Sequence, residues 1–300
     1  MTARLLKTSL ALLFLALFEV LEATKISCRN EEGKAVDWKP IGSTVKAGWM
    51  RTSLEFQRLG LLQHYRFTFY KLPIQVKRQD KKSKGSGLEY LYLDSTTRSW
   101  KRSKQPMNTT KSVLGRTLHQ LYEAYTSKSN NTAYLIYNDG VPKSVTYSTK
   151  YGHTKVPEEG YDYPPTGRRN GQSGICITFK YNQYEAIDIF AAWMAPQLKT
   201  HLLTETWQRT GQKLPSNCSL PYHVYNIKAI KLSQQSYFNS SQDHAKWCIS
   251  QKGTKNHWTC IGDINRSTSQ AFRSGGFICT QNQHIYQAFQ RLVLYYEKCN

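Results

Sequence analysis

Two short stretches of the chain repeat one spacing of reactive side chains: YGHTK sets His153 two residues before Lys155, and DHAKW sets His244 two residues before Lys246. In extended backbone, residues two apart share a face, so each imidazole would stand beside its ammonium. An imidazole can attack phosphorus or pass a proton, and an ammonium can hold a non-bridging phosphate oxygen. Two such pairs facing one phosphodiester would supply nucleophile, general acid and charge clamp without a metal. The acid histidine must start protonated, which with an ordinary pKa of about 6.5 favours work at about pH 5 over pH 7. A single His-x-Lys is commonplace on protein surfaces; two in one basic chain are what raise the catalytic reading.

Farther along, IGDINR carries Asp263 and Asn265. Asn265 can donate to a phosphate oxygen and Asp263 can orient an imidazole, with a plain Asp/Asn turn as the alternative. A metal site competes poorly, because the sequence holds no H-E-x-x-H, no paired-cysteine zinc spacing and no evident cluster of carboxylates. Neither a metal nor another cofactor is expected.

Any partner must suit the charge. The 300 residues hold 41 Lys and Arg against 20 Asp and Glu, a net +21 at pH 7, with 20 Tyr and 7 Trp as stacking surfaces. That balance favours polyanions: nucleic acid, heparin-like glycans or anionic membrane surface. A buried aromatic core under a basic surface explains the same composition. Residues 1–23, with Arg4 and Lys7 ahead of an apolar run from Leu10 to Phe18, read as a secretory signal peptide. No later stretch resembles a membrane span, so stable membrane insertion is not expected. Seven cysteines in an oxidising compartment suggest up to three disulfides with one thiol left over. Sequons at Asn108, Asn130, Asn217 and Asn265 fit surface glycosylation, although Asn265 has the other use just described.

The reactive residues need elements to position them. Strands are predicted around Ile26 to Cys28 and Val36 to Trp38 with a turn through Asn30 to Gly33, then over Phe67 to Ile74 and Leu88 to Asp94 with a Lys/Gly/Ser loop between them. SVLGRTLHQLYEAY places Leu114, Leu118, Leu121, Tyr122 and Tyr125 on one helix face. Strands follow at Thr132 to Asp139 and Gly174 to Tyr181. The pattern from Ile189 to Trp207 is helical with a break at Pro196, and HVYNIKAIKL, AKWCIS and HWTCIGDI read as strands before a closing helix, Ile285 to Glu297. Interleaved strands and helices favour an α/β or mixed α+β fold.

Taken together, YGHTK, DHAKWCI, WTCIGDINRS, GGFICTQ, CRNEEGKAVDW and FTFYKLP resemble the deoxyribonuclease II family over nearly all of the mature chain. The resemblance implies a lysosomal-type acid endonuclease, with secretion as a second destination, that cuts DNA without sequence preference or divalent metal and leaves 3′-phosphate ends through a phosphohistidine. It implies a phospholipase D-like pseudo-dimer in which residues 24–180 and 181–300 are sheet-plus-helix halves, each giving one His-x-Lys to a shared site. His153, Lys155, His244 and Lys246 would then be catalytic, with Asn265 and Asp263 supporting the second pair. The family's disulfide pattern would join Cys28 to Cys176, Cys218 to Cys299 and Cys260 to Cys279, leaving Cys248 free.

The chain departs from that pattern in three places. Residues 39–66 interrupt an early strand as an insertion, here read as a surface helix and loop. The hydrophobic strand and hairpin that follow the first His-x-Lys in the family are missing after Lys155, and a further segment is missing after Asp188. These departures leave a second reading open, that of a basic glycoprotein that binds DNA or other polyanions without hydrolysing them.

Overall fold

The computed structural model describes residues 29–35, 67–78, 81–94, 96–97, 99–128, 175–180, 186–209, 211–273 and 275–299. The expected signal peptide, the expected insertion at 39–66 and the strands expected at Ile26 to Cys28, Val36 to Trp38 and Thr132 to Asp139 lie outside them. So do His153 and Lys155.

Thirteen strands are described: β1 (Phe67–Lys71), β2 (Gln75–Arg78), β3 (Lys81–Lys84), β4 (Tyr90–Asp94), β5 (Lys101–Arg102), β6 (Ile175–Lys180), β7 (Leu202–Glu205), β8 (Val224–Lys231), β9 (Ser236–Asn239), β10 (Trp247–Ser250), β11 (Thr259–Gly262), β12 (Gly275–Thr280) and β13 (Val293–Tyr296). A small sheet runs β1-β4-β5, and a ten-stranded sheet runs β3-β2-β9-β8-β7-β10-β11-β12-β6 with β13 also on β8. With helices at Val113–Thr126 and Gln283–Leu292, this is a mixed α+β fold.

Side-chain alternation gives the large sheet two apolar faces. Leu203, Trp247 and Ile249 point to a core that also takes Tyr70, Leu91 and Leu93 from the small sheet, Leu72 just after β1, and Ile285, Phe289 and Leu292 from the last helix. Leu202, Cys248 and Cys260 point the other way, onto Phe190, Met194 and Leu198. The strands flanking the site are therefore covered on both sides.

Several expected elements change at their ends. The helical pattern from Ile189 stops at Leu198: a π turn, Phe190–Met194, leads into Ala195–Leu198, and Lys199 turns left-handed with φ 52°. The next residues, Leu202–Glu205, form a fully buried strand. A short apolar run of this kind fits buried helix and buried strand alike, and here β-branched Thr204 lies within the strand. The closing helix starts as expected, capped by Asn282, whose side chain accepts from the His284 and Ile285 amides. It ends at Leu292, and Val293–Tyr296 joins β8 instead of continuing to Glu297.

The loop expected after Ile74 contains a hairpin, β2 with β3. Its QVKR and KKSK strands carry no apolar alternation, so it arises from backbone pairing with β9, and its lysines suit an edge strand. On the Val113–Thr126 helix only Val113 is fully buried; Leu114, Leu118 and Leu121 are half-buried, and Tyr122 and Tyr125 are exposed. The turn at Asn30 to Gly33 forms as expected, with Gly33 N–H donating to Asn30 O at 3.0 Å.

Disulfides join Cys218 to Cys299 and Cys260 to Cys279, the latter directly across β11 and β12, and Cys248 is free and buried. Cys28, the remaining partner expected for Cys176, lies outside the described residues. Among the described residues no helix is long and apolar enough to cross a membrane.

Candidate active site

One end of the large sheet gathers the second His-x-Lys and the residues expected to support it. There β7 ends, β11 ends and β10 begins, with Trp247 paired to Glu205 on one side and Ile261 on the other. His244 and Lys246 lie in the segment that enters β10, and Lys246 O accepts from Gly262 N–H at 3.0 Å. Asp263 and Asn265 follow β11 directly. Thus strand pairing brings the DHAK and GDIN motifs side by side.

His244 is exposed and stacks on the indole of Trp207, with ring centroids 3.9 Å apart and planes 28° apart. Trp207 is fastened at two points: its backbone N–H donates to Asn265 Oδ1 at 3.1 Å, and its Nε1–H donates to Ser241 O at 3.0 Å. Asn265 thus holds the backbone of the residue on whose indole His244 stacks, and among the described residues its Nδ2 meets no acceptor. The guanidinium carbon of Arg209 lies 4.8 Å from the Trp207 ring centroid, a cation–π contact.

Lys246 Nζ donates to His244 O at 2.7 Å, leaving two of its three N–H groups. Burial lowers its pKa, while Asp243 and Asp263 act to raise it. Asp263 is itself buried and accepts from Gly276 N–H at 2.8 Å. Gly275, at φ +150°, makes that approach possible, since a Cβ there would come 2.6 Å from Asp263 Oδ1.

The His244 pKa is lowered, first by partial desolvation of its ring and then by the nearby charges of Lys246, Lys71 and Arg209. An imidazole among three cations favours its neutral, nucleophilic form and draws anions to the same place. Beneath it lie Asp243, Glu205, Tyr70 and Trp247, all buried. The Tyr70 hydroxyl donates to Asp243 Oδ2 and accepts from Trp247 Nε1–H at 3.2 Å.

Sequence reasoning missed Glu205, Trp207, Tyr70, Lys71 and Arg209. The signal for Trp207 was weak: a TETW tetrapeptide inside a run with helical periodicity. Nothing local marks Tyr70, which reaches the site across 173 residues. Among the described residues no group of three His, Cys, Asp or Glu side chains is placed to hold a metal ion.

Fold and site define a mixed α+β protein with an exposed imidazole set among lysine and arginine charges. A family described as Deoxyribonuclease II matches it over residues 66–156, 155–188 and 185–299. The chain is 59% identical to human deoxyribonuclease-2-beta over 387 aligned positions, covering 100% of this chain and 99% of the relative. Mouse deoxyribonuclease-2-beta is 44% identical, with 100% of both chains covered, and mouse deoxyribonuclease-2-alpha is 25% identical over 96% of this chain and 97% of the relative. The chain belongs to the deoxyribonuclease II family and is a nuclease of that type.

The family match opens at residue 66 and breaks near residues 155 and 185–188. Those are the places where the sequence motifs led to the expectation of an insertion and two missing segments. An alignment of 387 positions against 300 residues leaves at least 87 positions facing no residue of this chain.

Proposed function

We propose that this protein is an acid endodeoxyribonuclease that hydrolyses DNA phosphodiesters without a divalent metal, and that His244 is its nucleophile. The observation that carries the reading is the His244–Trp207 stack beside Lys246, Lys71 and Arg209. A neutral imidazole fixed on an indole can attack phosphorus, while the surrounding cations stabilise the charge that grows on the non-bridging oxygens. His153 would protonate the departing 5′-oxygen, so that the 3′-phosphate stays on His244 until water releases it. Lys155 would clamp the same phosphate from the other side.

In this reading residues 24–180 and 181–300 are the two halves of a phospholipase D-like pseudo-dimer, and each supplies one His-x-Lys. DNA is engaged through its backbone, without sequence preference, and the work is done in an acidic compartment of lysosomal type, reached through the signal peptide. The lowered proton affinity of His244 supports its assignment as nucleophile, because it stays neutral to lower pH than an ordinary histidine.

Plasmid DNA incubated with the mature protein in EDTA at about pH 5 should be nicked and cut, with activity falling toward pH 8 as the acid histidine loses its proton. His244→Ala should lower cleavage by about a thousandfold or more with DNA retention kept. Cleavage that needs added magnesium sinks the reading. The second reading, DNA binding without hydrolysis, is favoured by the break in the family match next to His153 and Lys155. Equal DNA retention with no cleavage from either wild type or His244→Ala would select it.

A further inference from the structure

Two carboxyls directly beneath His244 have left water altogether: Glu205 is 0% exposed and Asp243 3%. Glu205 closes β7 opposite Trp247, and Asp243 immediately precedes His244. Asp243 is well supplied with donors, from the Tyr70 hydroxyl on Oδ2 and from Ala245 N–H on Oδ1 at 3.0 Å. Among the described residues Glu205 receives only the Ser240 hydroxyl, on Oε2 at 2.6 Å, and its Oε1 meets no donor. Ser240 links the two, since its O accepts from Asp243 N–H at 3.2 Å while its hydroxyl holds Glu205, and the Asp243 charge bears on the Glu205 carboxyl. Two bare carboxylates in a dry interior repel each other, whereas one proton between them makes the contact a hydrogen bond.

We propose that Glu205 is a positioning residue of the His244 half-site: it is held as the neutral acid and donates its proton to the Asp243 carboxylate, and that bond keeps the Asp243–His244–Ala245 segment in place. Its own surroundings agree, since burial and then the Asp243 charge push its pKa well above the carboxylate range. Asp243 is also raised, chiefly by burial, against the lowering effects of Tyr70, Ala245 N–H and Lys246. The titratable groups facing the pair are Tyr70 from β1 and, from the segment itself, Lys246; His244 adjoins Asp243. Tyr70 is pushed up by burial and then by the Asp243 charge, so it stays a phenol that can donate.

The role rests on reading His244 as a reacting group, but the shared proton is measurable without cleavage. Infrared spectra of the wild-type chain at pH 7 should contain the C=O stretch of a protonated carboxylic acid, and Glu205→Gln should lack it. Labelling the glutamate carboxyl carbons assigns the band in the wild type even where a variant does not fold. Because the folded-state pKa of Glu205 is raised, its stabilising contribution is complete below about pH 4.3 and declines as pH rises. The decline is about tenfold in the folding equilibrium constant per pH unit, up to the folded-state pKa, and Glu205→Gln should lack it.

For positioning, Glu205→Gln, whose amide can still donate to Asp243, should cleave DNA at pH 5 about tenfold faster than Glu205→Ala at equal DNA retention. Absence of the acid band from the wild type at pH 7 overturns the shared proton, and equal rates for the two variants overturn the positioning role. A wild type that cuts no DNA defeats the catalytic reading, while the infrared and unfolding results still decide the proton.

Discussion

Glu205 and Glu297 are the same residue in opposite states, both close to β8. Glu205 is sealed beside another carboxyl and is held toward the neutral acid by burial. Glu297 is also raised by burial, yet hydrogen bonds from Asn226, Lys228 and Lys213 overcome this and hold it down at about 2. Its Oε1 lies 3.2 Å from Lys213 Nζ and 3.1 Å from Lys228 Nζ, and its Oε2 accepts from Asn226 Nδ2 at 3.0 Å. Depth decides the charge of the first carboxyl and partners decide that of the second. The site end of the sheet thus holds a proton that high pH removes, and the C-terminal end holds a charge that low pH removes.

The largest effect should come from opening the C-terminal end. Replacing Cys218 and Cys299 by serine frees a span of 81 residues and should cost about 4 kcal/mol in chemical denaturation. The acid band of Glu205 should persist below the new midpoint if the two ends are independent; its loss would show that the clip also holds the site. Tyr70→Phe attacks the other end. It removes the donor to Asp243 and the acceptor for Trp247 Nε1–H, so unfolding should become about 2 kcal/mol easier. Cleavage should fall more than DNA retention does, and an equal fall in both would argue against a link between Tyr70 and His244.

Glu297→Gln should be milder, about 1–2 kcal/mol at pH 5, because the ion pairs are partly exposed. The sign of its pH dependence is the sharper result. With a depressed folded-state pKa, Glu297 stabilises the fold above the ordinary glutamate value of about 4.3, and that contribution is lost as pH falls toward about 2. The glutamine variant should therefore lose less stability than wild type as pH falls through that acid range, whereas Glu205→Gln should lose less than wild type as pH rises.

Much of the site was legible because its residues cluster in short motifs. DHAK and GDIN name His244, Lys246, Asp263 and Asn265 by type and spacing alone, and strand pairing of β10 with β11 then sets them together. The two described disulfides and the free Cys248 match the family pattern. The β2–β3 hairpin was not legible, because KKSK carries no apolar alternation and the hairpin joins the sheet through β2, which pairs with the distant β9. The helical reading past Leu198 failed because a short apolar run that becomes fully buried fits helix and strand alike.

By itself the sequence determined the chemistry available, the basic charge and the family, because those follow from residue types and from spacings of a few residues. The tertiary structure decided which form each group takes. Tyr70, Glu205 and Asp243 meet only because β1, β7 and the entry to β10 converge, and Asn265 grips Trp207 across 58 residues. Proton affinity depends on the charges, donors and water within a few ångströms, and only the folded chain fixes which those are.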